Sequence, residues 1–393
     1  MKRTIALIKR EFQLFFQDGT LRSVFFLAPI AYALIIGFVY KQGKVEDLPI
    51  IVVDMDDSPL SNQVVDMLGD NERLDIVSLR HENVQTNDEL ISKKAVITLV
   101  IPNRFEADVL QRRYPEINVY INTANLLTAN LASQSVQTTL GTFNAGVNMQ
   151  SLKKRGMSSA QAQTQYEPFK ANYIRLFNET GNYFIFMWPA ILAVVLQQVI
   201  LLAMAVSFAR EYKMGTFQSV LMKLSHSNPF ITLFVKVLPF WILAIPIVGV
   251  FYGFHFIFQA PIPERPLQYL LTTGLFVMSC SFLGALVSAV LTTPLKSTQA
   301  LMLLSTPAFI IGGYTWPTSA MPLGIRLLAD VLPLTPFLEA HKIMLIEQGS
   351  LHDVQPELRF LVGQTLVYFI LCILVLKYKF WLYNKRSNRK NIA

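Results

Sequence analysis

The sequence predicts an α-helical polytopic membrane protein of six transmembrane helices with an inserted α/β extracytoplasmic domain. Three observations carry this prediction. Hydrophobic residues make up 52% of the 393, charged residues only 15%, and the mean hydropathy is +0.40, a composition that places several segments in lipid. Apolar runs recur at 22–40, 184–208, 237–258, 268–292 and 360–382, with a shorter, Gly- and Pro-broken one at 298–313. The net charge of +8 is also unevenly placed. Residues 41–183 hold 14 basic and 17 acidic side chains, whereas 1–22, 209–236 and 377–393 carry +3, +3 and +6. An excess of Lys and Arg in short segments marks the cytoplasmic side. Both termini and the 209–236 loop are therefore expected inside the cell, and 41–183 outside.

In chain order, residues 1–20 read as an amphipathic interfacial helix with Ile5, Ile8, Phe12 and Phe15 on its apolar face. A first span follows at 21–40, uncleaved because the Ala31-Tyr32-Ala33 triplet sits inside the apolar run rather than after it. Residues 41–183 form the extracytoplasmic domain. Leu48–Val53 is a β-branched run fit for a buried strand, and Ser58-Pro59 after it reads as a helix cap with proline in the first turn. A helix over 60–68, strands at 75–79, 95–101 and 117–121, and a long helix over 128–150 complete an α/β alternation. Residues 157–178 lead back to the membrane. A five-span transmembrane domain occupies 184–383, with a cytoplasmic loop at 209–236, and a basic tail closes the chain at 384–393. The prolines of 314–358 suit short re-entrant or surface helices. Trp188, Trp241, Trp316 and Trp381, near span ends, read as interface anchors.

Several classes of chemistry are set aside. The chain has no GxxxxGK[ST] loop to cradle nucleotide phosphates, no HExxH, no CxxC and no GxSxG. Asp54, Asp56 and Asp57 are better read as a turn and cap than as a cation site, because Pro59 and Val65 stand where a calcium loop needs Gly and Glu. His81, His226, His255, His341 and His352 are scattered, and Cys280 and Cys372 lie in apolar runs, so no metal and no cofactor is expected. The excess of positive charge sits in inside loops, so it speaks for membrane lipid and not for nucleic acid. The spans lack acidic residues at depth, with Gln197, Gln198, Ser279, Ser281 and Ser288 their strongest polar groups, which argues against an ion-coupled pump.

Three features together resemble the permease subunits of ABC-2 type exporters, in the sub-group with a large domain between the first and second spans. Arg210-Glu211-Tyr212-Lys213-Met214-Gly215-Thr216 is similar to the family's cytoplasmic signature, and Lys236 to a recurrent lysine. The stretch 305–322 (STPAFIIGGYTWPTSAMP) resembles the family's broken fifth span and exit segment, including Gly312, Gly313, Pro317, Met321 and Pro322. Val52-Val53-Asp54-Met55-Asp56 and Ile101-Pro102-Asn103-Arg104-Phe105 resemble motifs of its outside domain. The resemblance implies a non-catalytic permease that moves substrate outward across a bacterial inner membrane. Cytosolic ABC ATPase subunits would dock near Arg210, Glu211, Gly215, Thr216 and Lys236, and a second permease chain would complete the pore. A periplasmic adaptor and outer-membrane channel would serve some such assemblies. In that scheme Gly215 permits a tight turn and Glu211 is structural glue more than an ATPase contact. The alternative reading is a membrane-anchored sensor or scaffold with an extracytoplasmic ligand- or partner-binding domain.

Overall fold

The computed structural model describes residues 2–82, 86–166 and 174–392. The chain forms two compact units, Lys44–Ile174 and the remainder, Met1–Gly43 with Arg175–Ala393. The first elements are helices α1 (Lys2–Gln17) and α2 (Gly19–Val39), separated only by Asp18, whose carboxylate caps α2 by accepting from the Leu21 amide at 3.0 Å.

The unit Lys44–Ile174 is built on strands β1 (Leu48–Asp54), β2 (Leu74–Arg80), β3 (Ile97–Ile101) and β4 (Asn118–Ile121). Helices α3 (Pro59–Gly69), α4 (Thr86–Ser92), α5 (Phe105–Leu110), α6 (Leu126–Lys154) and α7 (Ser159–Tyr166) belong to the same unit. The sheet order is β2-β1-β3-β4, with β1 parallel to both neighbours and β4 antiparallel to β3. Central β1 is buried on both faces, which is why its sequence is a continuous apolar run instead of an alternating one. Ile50 and Val52 join Val64 and Leu68 of α3 and Val136 and Phe143 of α6, while Ile51 and Val53 pack with Leu90 of α4. Ser58 caps α3 in a reciprocal box with Ser61, and buried Asp54 accepts the Ser61 hydroxyl (2.7 Å) and the amides of Asp56 and Asp57. Asp56 in turn accepts the Glu106 amide at 2.9 Å. These carboxylates tie strand to helix. Of the lead-back expected at 157–178, residues 167–173 lie outside the described set.

The other unit continues with α8 (Tyr183–Ala205), α9 (Ser207–Lys213), a π-helical turn at Phe217–Met222, α10 (Pro229–Ile257), α11 (Pro266–Val290), α12 (Pro294–Ser305), α13 (Ala308–Ile311), α14 (Leu323–Asp330), α15 (Leu334–Leu345) and α16 (Gln355–Ile392). Five stretches among the described residues are long and apolar enough to cross a membrane: Gly19–Val39, Tyr183–Lys213, Pro229–Ile257, Pro266–Val290 and Gln355–Lys385. The sequence called for six. The segment expected at 298–313 is divided between α12 and α13, because Pro307 interrupts the helix and neither piece is of spanning length.

Three expectations are corrected. The 209–236 stretch is not an open loop: α9, the π turn and the first eight residues of α10 occupy most of it. On α1 the buried stripe is Leu7, Glu11 and Phe15, while Ile5 is exposed. Trp188 is no interface anchor. It is fully buried, stacks on Phe184 at 5.2 Å and donates its indole N–H to the Ala33 carbonyl of α2 at 3.0 Å. Trp316 and Trp381 are exposed. The tail at 384–393 continues α16 as helix to Ile392, and the side chains of Arg386, Arg389 and Lys390 lie outside the described set.

Small groups let the helices approach. A Cβ at Gly284 of α11 would sit 2.6 Å from the Met204 Cβ of α8, so this contact requires glycine. Of the polar side chains noted within the spans, Gln198 of α8 accepts from Ser305 of α12 (2.9 Å), Ser281 donates to the Val277 carbonyl of its own helix, and buried Gln197 and Ser279 have no partner among the described residues; Gln364 of α16 adds a bond to the Asp330 carbonyl (2.6 Å). Such bonds take the place of the hydrophobic drive that lipid does not supply.

Candidate functional site

At one end of the helical unit four charged side chains from three elements meet. Arg10 of α1 grips Glu211 of α9 with both arms of its guanidinium, Nη1 to Oε1 at 2.7 Å and Nη2 to Oε2 at 3.1 Å. Lys236 of α10 donates to Glu211 Oε1 at 2.7 Å and to Glu11 Oε1 of α1 at 2.8 Å. Arg10 also reaches Glu11 at 3.3 Å, and the Thr216 hydroxyl donates a short bond to Glu211 Oε2. Side-chain exposures are 1% for Lys236, 2% for Glu211, 6% for Glu11 and 22% for Arg10.

The cluster carries two positive and two negative charges, so it is neutral as a whole. That balance lets it be buried at all, since an unpaired ion there would cost several kcal/mol. Burial by itself would lower the affinity of Arg10 for its proton. The hydrogen bond and charge of Glu211, with Glu11 behind it, outweigh this and hold the Arg10 pKa above its ordinary value. Arg10 is accordingly charged at every working pH. The bidentate fork also fixes orientation, which a lysine at this place would not.

The backbone explains how these groups meet. Helix α8 breaks at Val206, and the broken end is covered by Ser288 of α11. Its hydroxyl accepts the amides of Phe208 and Ala209, both at 3.0 Å, and donates to the Ala205 carbonyl at 2.8 Å. One side chain thus satisfies three backbone groups that the kink would strand in a buried place. Replacing Ser288 by alanine is expected to cost about 1–3 kcal/mol and to speed hydrogen exchange at the Phe208 and Ala209 amides; unchanged exchange there would show that the kink is held by other contacts.

After α9 the chain turns at Gly215, whose φ of +67° is left-handed. A Cβ there would meet nothing within 4 Å, so the demand for glycine is conformational and not steric. Thermal unfolding of Gly215→Val should show a loss of about 1–2 kcal/mol, with Gly215→Asn closer to the parent; equal losses would point to a clash instead. Beyond the turn, Phe217 packs against Tyr212 at 4.6 Å and against Phe380 and Tyr383 of α16 at 5.8 and 5.4 Å. Asn228 then caps α10. Arg3 of α1 adds a bond to the His226 ring at 3.1 Å in the preceding turn.

Of the residues singled out in the sequence, Glu211, Thr216 and Lys236 come together in the cluster. Arg210 lies beside it, donating to the Leu14 carbonyl of α1 at 3.1 Å and standing 3.9 Å from Asp18. Gly215 supplies the turn. The group Gly312, Gly313, Pro317, Met321 and Pro322 is elsewhere and forms no part of the cluster. Gly312 and Gly313 make the turn after α13, where a Cβ would collide with the Ala308 carbonyl at 2.7 Å or the Thr318 methyl at 2.7 Å. Pro317 precedes a 3-10 turn and Pro322 precedes α14. Tyr314, beside these glycines, stacks on Phe186 of α8 at 4.7 Å and bonds to its carbonyl.

Sequence reasoning missed Arg10 and Glu11. The available signal was Glu11 itself, an acid four residues from Leu7 and four from Phe15, hence in the middle of an apolar stripe. Around the buried cluster, Lys213, Met214, Gly215, Gln218 and Ser219 are exposed and present a surface that the buried acids cannot.

Comparison with known proteins adds a family. A family profile described as "ABC-2 family transporter protein" matches residues 20–374. Two relatives, each described as "Probable multidrug ABC transporter permease YbhR", come from Escherichia coli strains K12 and O157:H7. Each is 19% identical over 361 residues, covering 90% of this chain and 92% of the relative.

Proposed function

The chain belongs to the ABC-2 family of transporter proteins, and from that premise we propose that it is the permease of an exporter driven by ATP hydrolysis on a separate cytosolic subunit. The buried cluster of Arg10, Glu11, Glu211 and Lys236 supports this reading most directly. It binds α1, α9 and α10 into one mechanical piece, and a push on any of them is shared by two of the membrane-crossing helices. An ATPase docked on the exposed strip at Lys213–Ser219 would move that piece when nucleotide binding closes its own sites. The α8 kink covered by Ser288 is where this displacement enters the bundle. Differential binding of the ATPase to two bundle states then does the work.

The wider assembly follows the same reading. Two permease chains form the pathway, as identical or sister copies, in a bacterial inner membrane with both termini cytoplasmic. The α12–α13 segment completes a sixth, broken crossing, and the unit 44–174 faces outward, where an adaptor to an outer-membrane channel can meet it. The family resemblance and the basic ends of the chain support this placement. The naming of the Escherichia coli relatives makes small lipophilic drugs the substrate class to try first.

The experiment is gentle purification of the tagged chain with mass spectrometry of its companions, for the parent and for Met214→Asp. A companion with a phosphate-binding loop, present with the parent and lost with Met214→Asp while the permease stays folded, is the expected result. A preparation without any ATPase, under conditions that keep other such complexes together, would turn the reading toward an anchored scaffold.

A further inference from the structure

Within the unit Lys44–Ile174 lies a cleft of about 760 Å³, between α5, the turn before β4, and the C-terminal half of α6. That volume falls in the range of small-molecule sites. Its floor is aromatic: Phe105 and Phe143 are buried, with ring centroids 6.1 Å apart and planes at 27°. Its rim carries Arg112 and Arg155, and among the described residues no Asp or Glu lines it. This sign is opposite to that of the unit, whose sequence from 44 to 174 holds 12 basic and 16 acidic side chains. Near the mouth, Asp108 faces Arg113 at 3.7 Å.

The backbone at the mouth is unusual as well. Arg112 and Tyr114 both adopt left-handed conformations, at φ of +60° and +51°, which non-glycine residues hold only at a cost. The turn so formed leaves Tyr114 86% exposed at the cleft's edge and lets Arg112 reach across to the Ser151 hydroxyl of α6 at 3.1 Å. On the opposite wall Gly141 of α6 faces open space, where a Cβ would meet nothing within 4 Å and a larger side chain would project into the cleft.

From this we infer that the cleft binds an amphipathic carboxylate, its head held by Arg112 and Arg155 and its apolar body lying on Phe105 and Phe143. A small inorganic anion would leave the aromatic floor unused, and a neutral apolar molecule would leave the two guanidinium groups unused. Guanidinium forks match a carboxylate in plane and charge. The head lies at an exposed rim, so its share of the affinity falls as salt screens it, whereas the share from the floor does not. Fatty acids and aromatic drug-like acids both carry this chemistry. The inference is independent of the coupling cluster and of the ATPase.

The test uses the full chain in phosphatidylcholine nanodiscs and saturation-transfer NMR against empty discs. The probes are octanoate and 2-naphthoate, each paired with its neutral partner, octan-1-ol and 2-naphthylmethanol. At least one carboxylate should bind the parent about tenfold or more tightly than its alcohol, and the tighter of the two acids identifies the lipid-like or aromatic source. Arg112→Gln with Arg155→Gln, both exposed positions, should remove that preference and leave alcohol binding unchanged. Gly141→Phe should fill the cleft and abolish binding of acid and alcohol alike. Equal binding of acid and alcohol by the parent, a preference for the acid that survives the double arginine variant, or binding of either probe that survives Gly141→Phe, overturns the assignment.

Discussion

Lys236→Met is expected to destabilise the protein by about 3–5 kcal/mol, because it leaves Glu11 and Glu211 buried with only Arg10 to balance them. The sharper form of the prediction is a rescue. Adding Glu11→Leu to Lys236→Met removes one acid for the lost base and restores a neutral pair, Arg10 with Glu211. The double variant should recover most of the stability in thermal unfolding, since replacing a buried ion pair by apolar groups is often neutral or better. Transport should not recover with it, because the tie from α1 and α9 to α10 is gone. A double variant that transports like the parent would reduce the cluster to a structural ornament. One that is no more stable than Lys236→Met alone would show that charge balance is not what the cluster provides.

Trp188→Ala is the second large effect, expected at about 3–5 kcal/mol of lost stability. Trp188 fills a fully buried site between α8 and α2, with Phe184 on one face, His255 at 5.0 Å and Phe258 at 5.6 Å, and its N–H serves the Ala33 carbonyl. Alanine removes that packing and leaves the carbonyl without its donor. Trp188→Phe keeps much of the ring packing and loses the hydrogen bond, so it should cost less, about 1–3 kcal/mol. Thermal unfolding of the two variants side by side decides the matter. Equal losses would assign the whole effect to the hydrogen bond, and no loss would mean that α2 is held on α8 by other contacts.

These two cases also show what the sequence can disclose. The long apolar helices and the strand at Leu48–Asp54 were legible because their hydrophobicity is continuous and local. The Ser58 cap was legible for the same reason, as the pair Ser58-Pro59. Trp188 was misread because a tryptophan near a span end looks the same whether it faces the lipid headgroups or another helix; only the neighbour, 155 residues away at Ala33, distinguishes them. The cluster was half legible. Glu211 and Lys236 stood out as charges at the edges of apolar runs, but their partners Arg10 and Glu11 lie 201 and 225 residues away in the chain. Nothing in the local pattern of α1 assigns Glu11 to a buried lysine, although an acid on an apolar face is a question waiting for a partner. The division of 298–313 into α12 and α13 was signalled by Pro307, Gly312 and Gly313, yet the sequence does not say whether proline kinks a helix or ends it.

The separation of 225 residues between Glu11 and Lys236 has a consequence in time. A chain made from its N-terminus at about 5–20 residues per second needs roughly 11–45 s after Glu11 is joined before Lys236 exists. Throughout that interval α1 carries an acid for which the finished protein has only one buried ammonium partner. The first helix made therefore lacks this buried ion pair until the third membrane-crossing helix has been synthesised. Chains released early, short of residue 236, leave this acid with Arg10 alone and without the buried ammonium that reaches it from α10, and unfinished copies differ from complete ones in that respect.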